Sequence, residues 1–134
     1  ILAFTAAGEL VMERQYRYPV GRDMLEIPAG KIDPGEAPLQ TARRELEEET
    51  GHTGGTWSRL GEFVPSPGVM NEGIHLFVAT GIKPGPARPE PGEDLLPQPV
   101  PLVRALDWCL DGTIRDGKTM VALLMHQRIR QGTR

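Results

Sequence analysis

Cysteine is nearly absent from this sequence: among 134 residues, only Cys109 carries a thiol. One thiol cannot form an internal disulfide, so the chain is expected to fold without that covalent support. The absence of disulfides is typical of proteins in a reducing compartment, which predicts a cytoplasmic location. Cys109 itself is interpreted as a small buried apolar residue.

Long apolar runs and an excess of basic residues are also missing. No stretch approaches the roughly 18 consecutive apolar residues that a membrane span needs, so no membrane partner is expected. The net charge of −3 argues against nucleic acid as a partner. The length is that expected of a single domain over residues 1–134. Because the first residue is Ile1 and not Met, we expect that an N-terminal segment is missing before it.

The sequence does contain an alternation of predicted strands and helices. Glycine and proline residues separate these elements and mark the turns between them. Strands followed by a helix, more strands and two helices predict an α/β fold, in which a mixed sheet lies between helices. The predicted strands cover residues 1–4, 10–18, 57–64 and 74–80, and the predicted helices cover residues 38–50, 103–110 and 119–129.

Proline is concentrated in one segment, Lys83–Pro101, which holds seven of the thirteen prolines. Proline fixes φ and removes a backbone donor, so this segment is predicted to be a long irregular loop. Loops of that length in a compact domain are usually functional or disordered. The acidic residues Glu90, Glu93 and Asp94 are therefore candidates for a functional site.

The segment Pro38–Thr50 has the strongest helical pattern in the chain. Its opening proline suits the first turn of a helix, and Gly51 follows where a C-cap glycine is expected. Apolar residues recur every three or four positions and predict one buried side. Next to that side, Glu45, Glu48 and Glu49 share an adjoining face.

This acidic face is unfavourable for an isolated helix. Like charges four residues apart repel by about a few tenths of a kcal/mol, and carboxylates in the last turns oppose the helix dipole. A cation would offset both costs, and clustered carboxylate oxygens suit Mg²⁺ or Mn²⁺. The alternative is a solvated acidic face whose glutamates pair with Arg43 or Arg44.

The segment Gly30–Gly51 resembles the signature box of the Nudix family at every fixed position. It reads Gly30, five residues, Glu36, seven residues, Arg44-Glu45-Leu46, one residue, Glu48-Glu49, one residue and Gly51. The one departure is His52, where the family usually has an aliphatic residue. Spacing this specific favours a cation site over a solvated face, and the resemblance implies the Nudix α/β/α sandwich.

The resemblance implies a role for each box residue. In the family, box glutamates and the carbonyl that precedes the box bind Mg²⁺, for which Mn²⁺ can substitute. The ligands implied here are Ala29, Glu45, Glu48 and Glu49, of which Glu45 and Glu49 are the expected catalytic residues. The residues implied to be structural are Gly30, Glu36, Arg44 and Gly51, with Glu36 and Arg44 forming an ion pair.

Sequence around the box resembles the ADP-ribose pyrophosphatase group of the family. The matching segments are Arg14–Pro19, Leu25–Ile32, Pro65–Gly68, Ile74–Phe77 and Gly112–Thr119. Pro67 lies sixteen residues after Gly51, the placement associated with that group, and is expected to bind substrate. The group implies a homodimer supported by an N-terminal segment that would precede Ile1.

The same group has a glutamate in the loop before the last strand, where it acts as base or further metal ligand. Glu90, Glu93 and Asp94 compete for this role, and the distance to Gly112 favours Glu93 as a catalytic and metal-binding residue. The alternative is that the proline-rich loop is a solvated linker.

Three further residues are candidates for substrate binding, each with an alternative. Arg17 is expected to contact phosphate, which guanidinium binds through two parallel hydrogen bonds, or else to be a surface arginine paired with a carboxylate. Glu26 either binds the terminal ribose or faces solvent. Glu72 either contacts substrate or metal, or is an ordinary loop residue.

These observations predict a Mg²⁺-dependent pyrophosphohydrolase that cleaves the diphosphate of a small nucleotide derivative. ADP-ribose, giving AMP and ribose 5-phosphate, is the preferred substrate. The alternatives within the family are another ADP-sugar, NADH or an oxidised nucleoside triphosphate. A non-catalytic nucleotide-binding regulatory module is the alternative from another class, and the complete set of box glutamates argues against it.

Overall fold

The computed structural model describes residues 1–132, in which six strands form one sheet. The strands are β1 (Leu2–Thr5), β2 (Leu10–Arg17), β3 (Arg22–Glu26), β4 (Thr56–Phe63), β5 (Ile74–Ile82) and β6 (Leu96–Val100). The helices are α1 (Pro38–Thr50), α2 (Leu102–Asp111) and α3 (Gly117–Gly132), with a short 3-10 turn at Tyr18–Val20. None of these helices is both long and apolar enough to cross a membrane.

The sheet is mixed. Its main path runs β3-β2-β1-β5-β4, and β6 pairs with β2 outside that path. β1 and β5 are parallel, and the other pairs are antiparallel. Because Glu13 and Arg14 of β2 pair with β3 and with β6, the middle of β2 is held on both edges.

Helices cover both faces of the sheet, so the predicted α/β/α sandwich is confirmed. On one face, Ala42 and Leu46 of α1 pack against Val11 of β2 and against β5. On the other face, α2 and α3 contribute to the larger core, in which Cys109 is buried as expected. That residues 1–134 form a single domain stays a prediction.

The prediction of an irregular loop over Lys83–Pro101 is wrong at its end, where Leu96–Val100 forms β6. The prolines Pro97 and Pro99 disfavour a strand because they lack a backbone N–H. They stand two residues apart, and backbone nitrogens two residues apart point to the same edge of a strand, which can be the edge that does not face β2. The ladder with β2 is therefore compatible with both prolines, as is usual for a strand paired along one edge.

Strand β2 leads from the core to the site. Val11 packs on the side of α1, and side chains two residues apart share a face of the sheet. Glu13, Gln15 and Arg17 therefore follow Val11 on the same face. The apolar core between α1 and the sheet is continued by a row of polar side chains.

Candidate active site

The local sequence of α1 determines where the helix begins and ends. At its start, the backbone N–H of Ala37 donates to the side-chain oxygen of Gln40 at 2.9 Å. At its end, Gly51 has a φ of 76° and donates to the carbonyl oxygen of Glu47. A Cβ on Gly51 would lie 2.0 Å from the carbonyl oxygen of Gly85. Both the conformation and the close contact therefore require glycine.

The loop before α1 contacts two of the predicted metal ligands. A Cβ on Gly30 would lie 1.9 Å from Cδ of Glu45, so glycine permits this close approach. The backbone N–H of Ala29 donates to Oε2 of Glu49 at 3.1 Å. Glu49 is only 4% exposed. The loop and the helix thus hold the carboxylates of Glu45 and Glu49 between them.

Arg44 connects the same loop to the helix. Its Nε and Nη2 each donate to Glu36 at 2.9 Å, and Nη2 also donates to the carbonyl oxygen of Lys31 at 3.1 Å. The hydrogen bonds from Arg44, together with one from Thr41, lower the pKa of Glu36 to about 2. The ion pair between Glu36 and Arg44 is present, and its purely structural role stays a prediction.

These groups line a cleft of about 720 Å³, a size typical of small-molecule sites. The cleft lies between α1, the inner face of the sheet and the proline-rich loop. It brings together most of the candidates from the sequence. They are Arg17, Ala29, Gly30, Arg44, Glu45, Glu49, Glu72, Glu90 and Glu93, joined by Lys31 and Lys118.

Pro67 and Glu48 do not line the cleft. Pro67 is exposed, in a turn where the N–H groups of Val69 and Met70 both donate to the carbonyl oxygen of Ser66 at 3.0 Å. The prediction that Pro67 binds substrate stays a prediction. Its spacing from Gly51 indicated the loop but not the direction of one side chain. Glu48 points to the rim, where its carboxylate lies 3.2 Å from Nη1 of Arg44.

Glu26 is buried and fully engaged, so the expectation that it faces solvent is wrong. It is 3% exposed. Nε and Nη2 of Arg17 donate to its two oxygens at 2.7 and 3.0 Å, and Nζ of Lys118 donates to Oε1. Arg17 is therefore paired with a carboxylate, as one interpretation expected. It also lines the cleft, and its contact with phosphate stays a prediction. Lys118, at the start of α3, was not singled out from the sequence.

The proline-rich loop is exposed over residues 83–92 and is attached to α1 by a hydrogen bond. The backbone N–H of Arg88 donates to the carbonyl oxygen of Glu48 at 2.7 Å. Within the loop, the N–H of Glu90 donates to Oε2 of Glu93 at 3.1 Å. Glu90 and Glu93 both line the cleft, whereas Asp94 does not. The structure therefore reduces the three candidates to two.

Sequence reasoning missed Glu13, the cross-strand partner of Glu26. Glu13 is 2% exposed, and its Oε1 has no hydrogen-bond partner. Its signal was available, because it stands two residues after the buried Val11 in an alternating strand. Burial raises the pKa of Glu13, and a side-chain hydrogen bond with Glu49 partly offsets the rise.

Burial, followed by repulsion between carboxylates, raises the pKa values of the glutamates at the cleft. Burial raises the pKa of Glu49, and the charges of Glu13 and Glu45 raise it further. Burial also raises the pKa of Glu45, against the opposing effect of Arg44. Glu93 contributes to all three shifts. Four glutamates therefore act on one another within a single site.

The donor chemistry fits a hard divalent cation, although the side chains are not arranged around one. Within residues 1–132, no three acidic, histidine or cysteine side chains converge closely enough to enclose an ion. Nη1 of Arg44 instead bridges Glu45 and Glu48, at 2.9 and 3.2 Å. Buried carboxylates with an unpartnered oxygen are nevertheless the ligands that such a cation prefers.

Comparison with known proteins agrees with the fold and the box. Residues 1–109 match the model of the NUDIX domain. The chain is 38% identical over 125 residues to an ADP-ribose pyrophosphatase of Bacillus subtilis (strain 168), covering 92% of this chain and 68% of that protein. It is 39% identical over 125 residues to the methanol dehydrogenase activator of Bacillus methanolicus, with the same coverage.

A solved structure supports the fold alone. The crystal structure of an ADP compounds hydrolase superimposes with a TM-score of 0.87 over 98% of this chain and 71% of that chain, at 23% identity. The match to the family model covers most of the sequence and includes the whole box. The chain belongs to the Nudix family, and it is a Nudix hydrolase by its fold, its box and its relatives.

Proposed function

We propose that this chain is a Mg²⁺-dependent pyrophosphohydrolase that cleaves ADP-ribose into AMP and ribose 5-phosphate. One observation carries the proposal: a single cleft combines the carboxylates of Glu45 and Glu49 at its α1 side with basic groups at its β2 and α3 side. A diphosphate with its cation needs both kinds of group. The relative from Bacillus subtilis, named as an ADP-ribose pyrophosphatase, supports ADP-ribose as the substrate.

The acidic part of the cleft is proposed to hold the cation. Glu45, Glu49 and Glu93, with Glu48 from the rim and the carbonyl of Ala29, would supply its oxygen ligands. When bound, Mg²⁺ offsets the charge of the diphosphate and lowers the pKa of a coordinated water. Glu48 needs only a change of side-chain rotamer, because its present contact is an exposed ion pair with Arg44.

The basic part is proposed to hold the substrate. Arg17 lines the cleft with 43% of its side chain exposed, so its guanidinium can bind a phosphate while Glu26 fixes its orientation. Glu26 would then act through Arg17 and not through the ribose. Glu72, from the loop opposite, is exposed and lines the cleft, where it would contact the remainder of the substrate.

The reaction is a displacement at one phosphorus. The oxygen of water forms a bond to phosphorus, the bridging P–O bond breaks, and the leaving phosphate keeps the electron pair. Glu93 is proposed to accept the proton of the attacking water. It lines the same cleft as Glu45 and Glu49 and belongs to the proline-rich loop, not to the helix.

A substrate panel with product identification tests this proposal. The protein is incubated with Mg²⁺ and with ADP-ribose, another ADP-sugar, NADH or an oxidised nucleoside triphosphate. The products are separated by chromatography and identified by mass spectrometry. We expect AMP and ribose 5-phosphate from ADP-ribose, and no products in EDTA. The same reaction in ¹⁸O-water identifies the phosphorus attacked. A preference for the triphosphate would contradict the proposal that ADP-ribose is the substrate. Activity in EDTA would contradict the proposed requirement for a cation.

The second candidate is a nucleotide-binding regulatory module. The relative from Bacillus methanolicus is named as an activator of methanol dehydrogenase, and its identity to this chain is similar. Binding of ADP-ribose in calorimetry without turnover of any substrate in the panel would favour this candidate.

A homodimer and a cytoplasmic location are also proposed. The end of β2 and the turn that follows it expose three large apolar side chains, with Tyr16 at 54%, Tyr18 at 87% and Val20 at 51% exposure. These exposed side chains are available to a second copy of the chain. The mass in solution, measured by light scattering for the wild type and for Tyr18→Ser, tests the dimer, and a monomeric wild type would contradict it. Cell fractionation tests the location.

A further inference from the structure

Glu13 is a buried carboxylate without a basic partner. Within residues 1–132, no lysine, arginine or histidine side chain forms an ion pair with it. The amino group of Ile1 donates to the carbonyl oxygen of Pro28 at 2.7 Å. The side chain is 2% exposed, so water does not solvate it, and Oε1 has no partner at all.

The neighbours of Glu13 increase this problem. Glu26 is its cross-strand partner, and the carboxyl group of Glu49 lies within hydrogen-bond reach of it. Glu26 has its own compensation from Arg17 and Lys118. Glu49 has only one backbone N–H, from Ala29. Glu13 and Glu49 therefore form a buried acidic pair without a basic side chain. Among residues 1–132, the amino group of Ile1 is the one positive group that acts on both of them, and burial lowers its pKa to about 5.

Such a pair is stable only with a compensating positive species between or beside the carboxylates. One proton compensates one negative charge, whereas a divalent cation compensates both carboxylates and accepts oxygen ligands from each. The two residues also stand on rigid elements, because β2 is paired on both edges at Glu13 and Glu49 lies on α1. Two carboxylates held on opposite rigid elements can bind an ion between them without a large rearrangement of the backbone.

We propose that Glu13 is a further ligand of the divalent cation in the cleft and holds that cation at the buried side of Glu49. The resulting site differs from one made by α1, the box loop and the proline-rich loop alone, because it adds a ligand from the sheet. This inference rests on the proposed function, since it needs a cation bound at Glu45 and Glu49.

Binding of Mn²⁺ to the metal-free protein tests the proposal without any measurement of activity. Calorimetric titration and the electron paramagnetic resonance signal of free Mn²⁺ give the affinity and the number of sites. The variants are Glu13→Gln, Glu13→Met and, as a control for the loss of one charge, Asp107→Asn on the exposed side of α2. Melting temperatures in EDTA establish that each variant is folded.

We expect Asp107→Asn to bind Mn²⁺ as the wild type does and both Glu13 variants to bind it about tenfold more weakly or worse. If the wild type binds Mn²⁺ and a folded Glu13 variant binds it equally well, Glu13 is no ligand, while the proposed function stands. If the wild type binds no Mn²⁺, both proposals fail. Glu13→Met decides the matter should Glu13→Gln not fold.

Discussion

Glu13 and Glu26 lie side by side on neighbouring strands, and their surroundings are opposite. They are register partners in β2 and β3, and are 2% and 3% exposed. Glu26 accepts hydrogen bonds from Arg17 and Lys118. Glu13 has no basic side chain and an oxygen without a partner. The two glutamates are therefore equally buried, but only the charge of Glu26 is compensated by basic side chains.

This difference separates two kinds of acidic residue in and around the cleft. Glu26 and Glu36 are paired glutamates, whose bases hold the strands and the box loop in place. Glu13 and Glu49 are unpaired glutamates, which cost folding free energy as long as nothing compensates them. A protein retains such a cost where a bound species removes it. The unpaired glutamates thus indicate the proposed cation site better than the number of carboxylates does.

The largest effect is expected from Glu49→Gln, which removes the charge of an unpaired glutamate and preserves its size. Loss of one ligand for the transition-state charge should lower kcat by roughly 10²–10³-fold. Folding should be unaffected, because the amide oxygen can still accept from Ala29. Steady-state kinetics with ADP-ribose and a melting curve provide the two measurements. Turnover within a few-fold of the wild type would contradict the assigned metal site.

The next largest effect is expected on stability, when glutamate is replaced by glutamine at Glu26 or at its neighbour Glu13. Glu26→Gln should lower the free energy of unfolding by about 3 kcal/mol, because Arg17 and Lys118 lose their shared anion in a buried site. Glu13→Gln should leave it unchanged or increase it in EDTA, because repulsion with Glu49 is relieved. Urea denaturation of both variants gives the comparison directly. Equal losses at the two positions would show that burial, and not charge compensation, governs both.

The smallest effect is a dependence of stability on pH, with opposite signs for the two kinds of glutamate. The pKa of Glu36 is lowered from 4.5 to about 2, so its contribution is complete above about pH 4.5 and is lost as the pH falls toward 2. The pKa values of Glu13 and Glu49 are raised above 4.5 by burial, so their folded forms retain protons. Stability in EDTA should therefore decrease as the pH rises from about 4.5 into the alkaline range.

Urea titrations at a series of pH values in EDTA measure this dependence. The decrease above about pH 4.5 should become smaller in Glu13→Gln, and smaller in the wild type when Mg²⁺ replaces EDTA. A free energy of unfolding that rises steadily from acid to alkaline pH in EDTA would contradict the raised pKa values.

The sequence predicted those parts of the fold that depend on local chemistry. α1 has the predicted bounds, because Pro38 and Gly51 determine its ends and its apolar residues recur at helical spacing. The ion pair of Glu36 with Arg44, which the resemblance implied, also lies within the box. These contacts join residues that are close in the chain, so one segment of sequence contains all the necessary information.

The parts that were missed depend on contacts between distant segments. Glu13 could be placed on a strand, but its burial results from β3 and β6 on its two edges and from α1 above it. Glu26 could not be identified as paired, because Lys118 is distant in sequence and reaches it only through the packing of α3. β6 was hidden by Pro97 and Pro99, whose compatibility with a strand depends on which edge faces β2.

The strand β6 has a consequence for evolution and engineering. The segment that carries Glu93 is fastened at Arg88 by a backbone hydrogen bond to α1 and at Leu96 by its pairing with Arg14. The number of residues between these two attachment points limits where Glu93 can lie. Substitutions in this segment can alter its chemistry without moving Glu93, whereas insertion or deletion of a residue would shift Glu93 along the cleft. Variation in length here would be a route to new substrates.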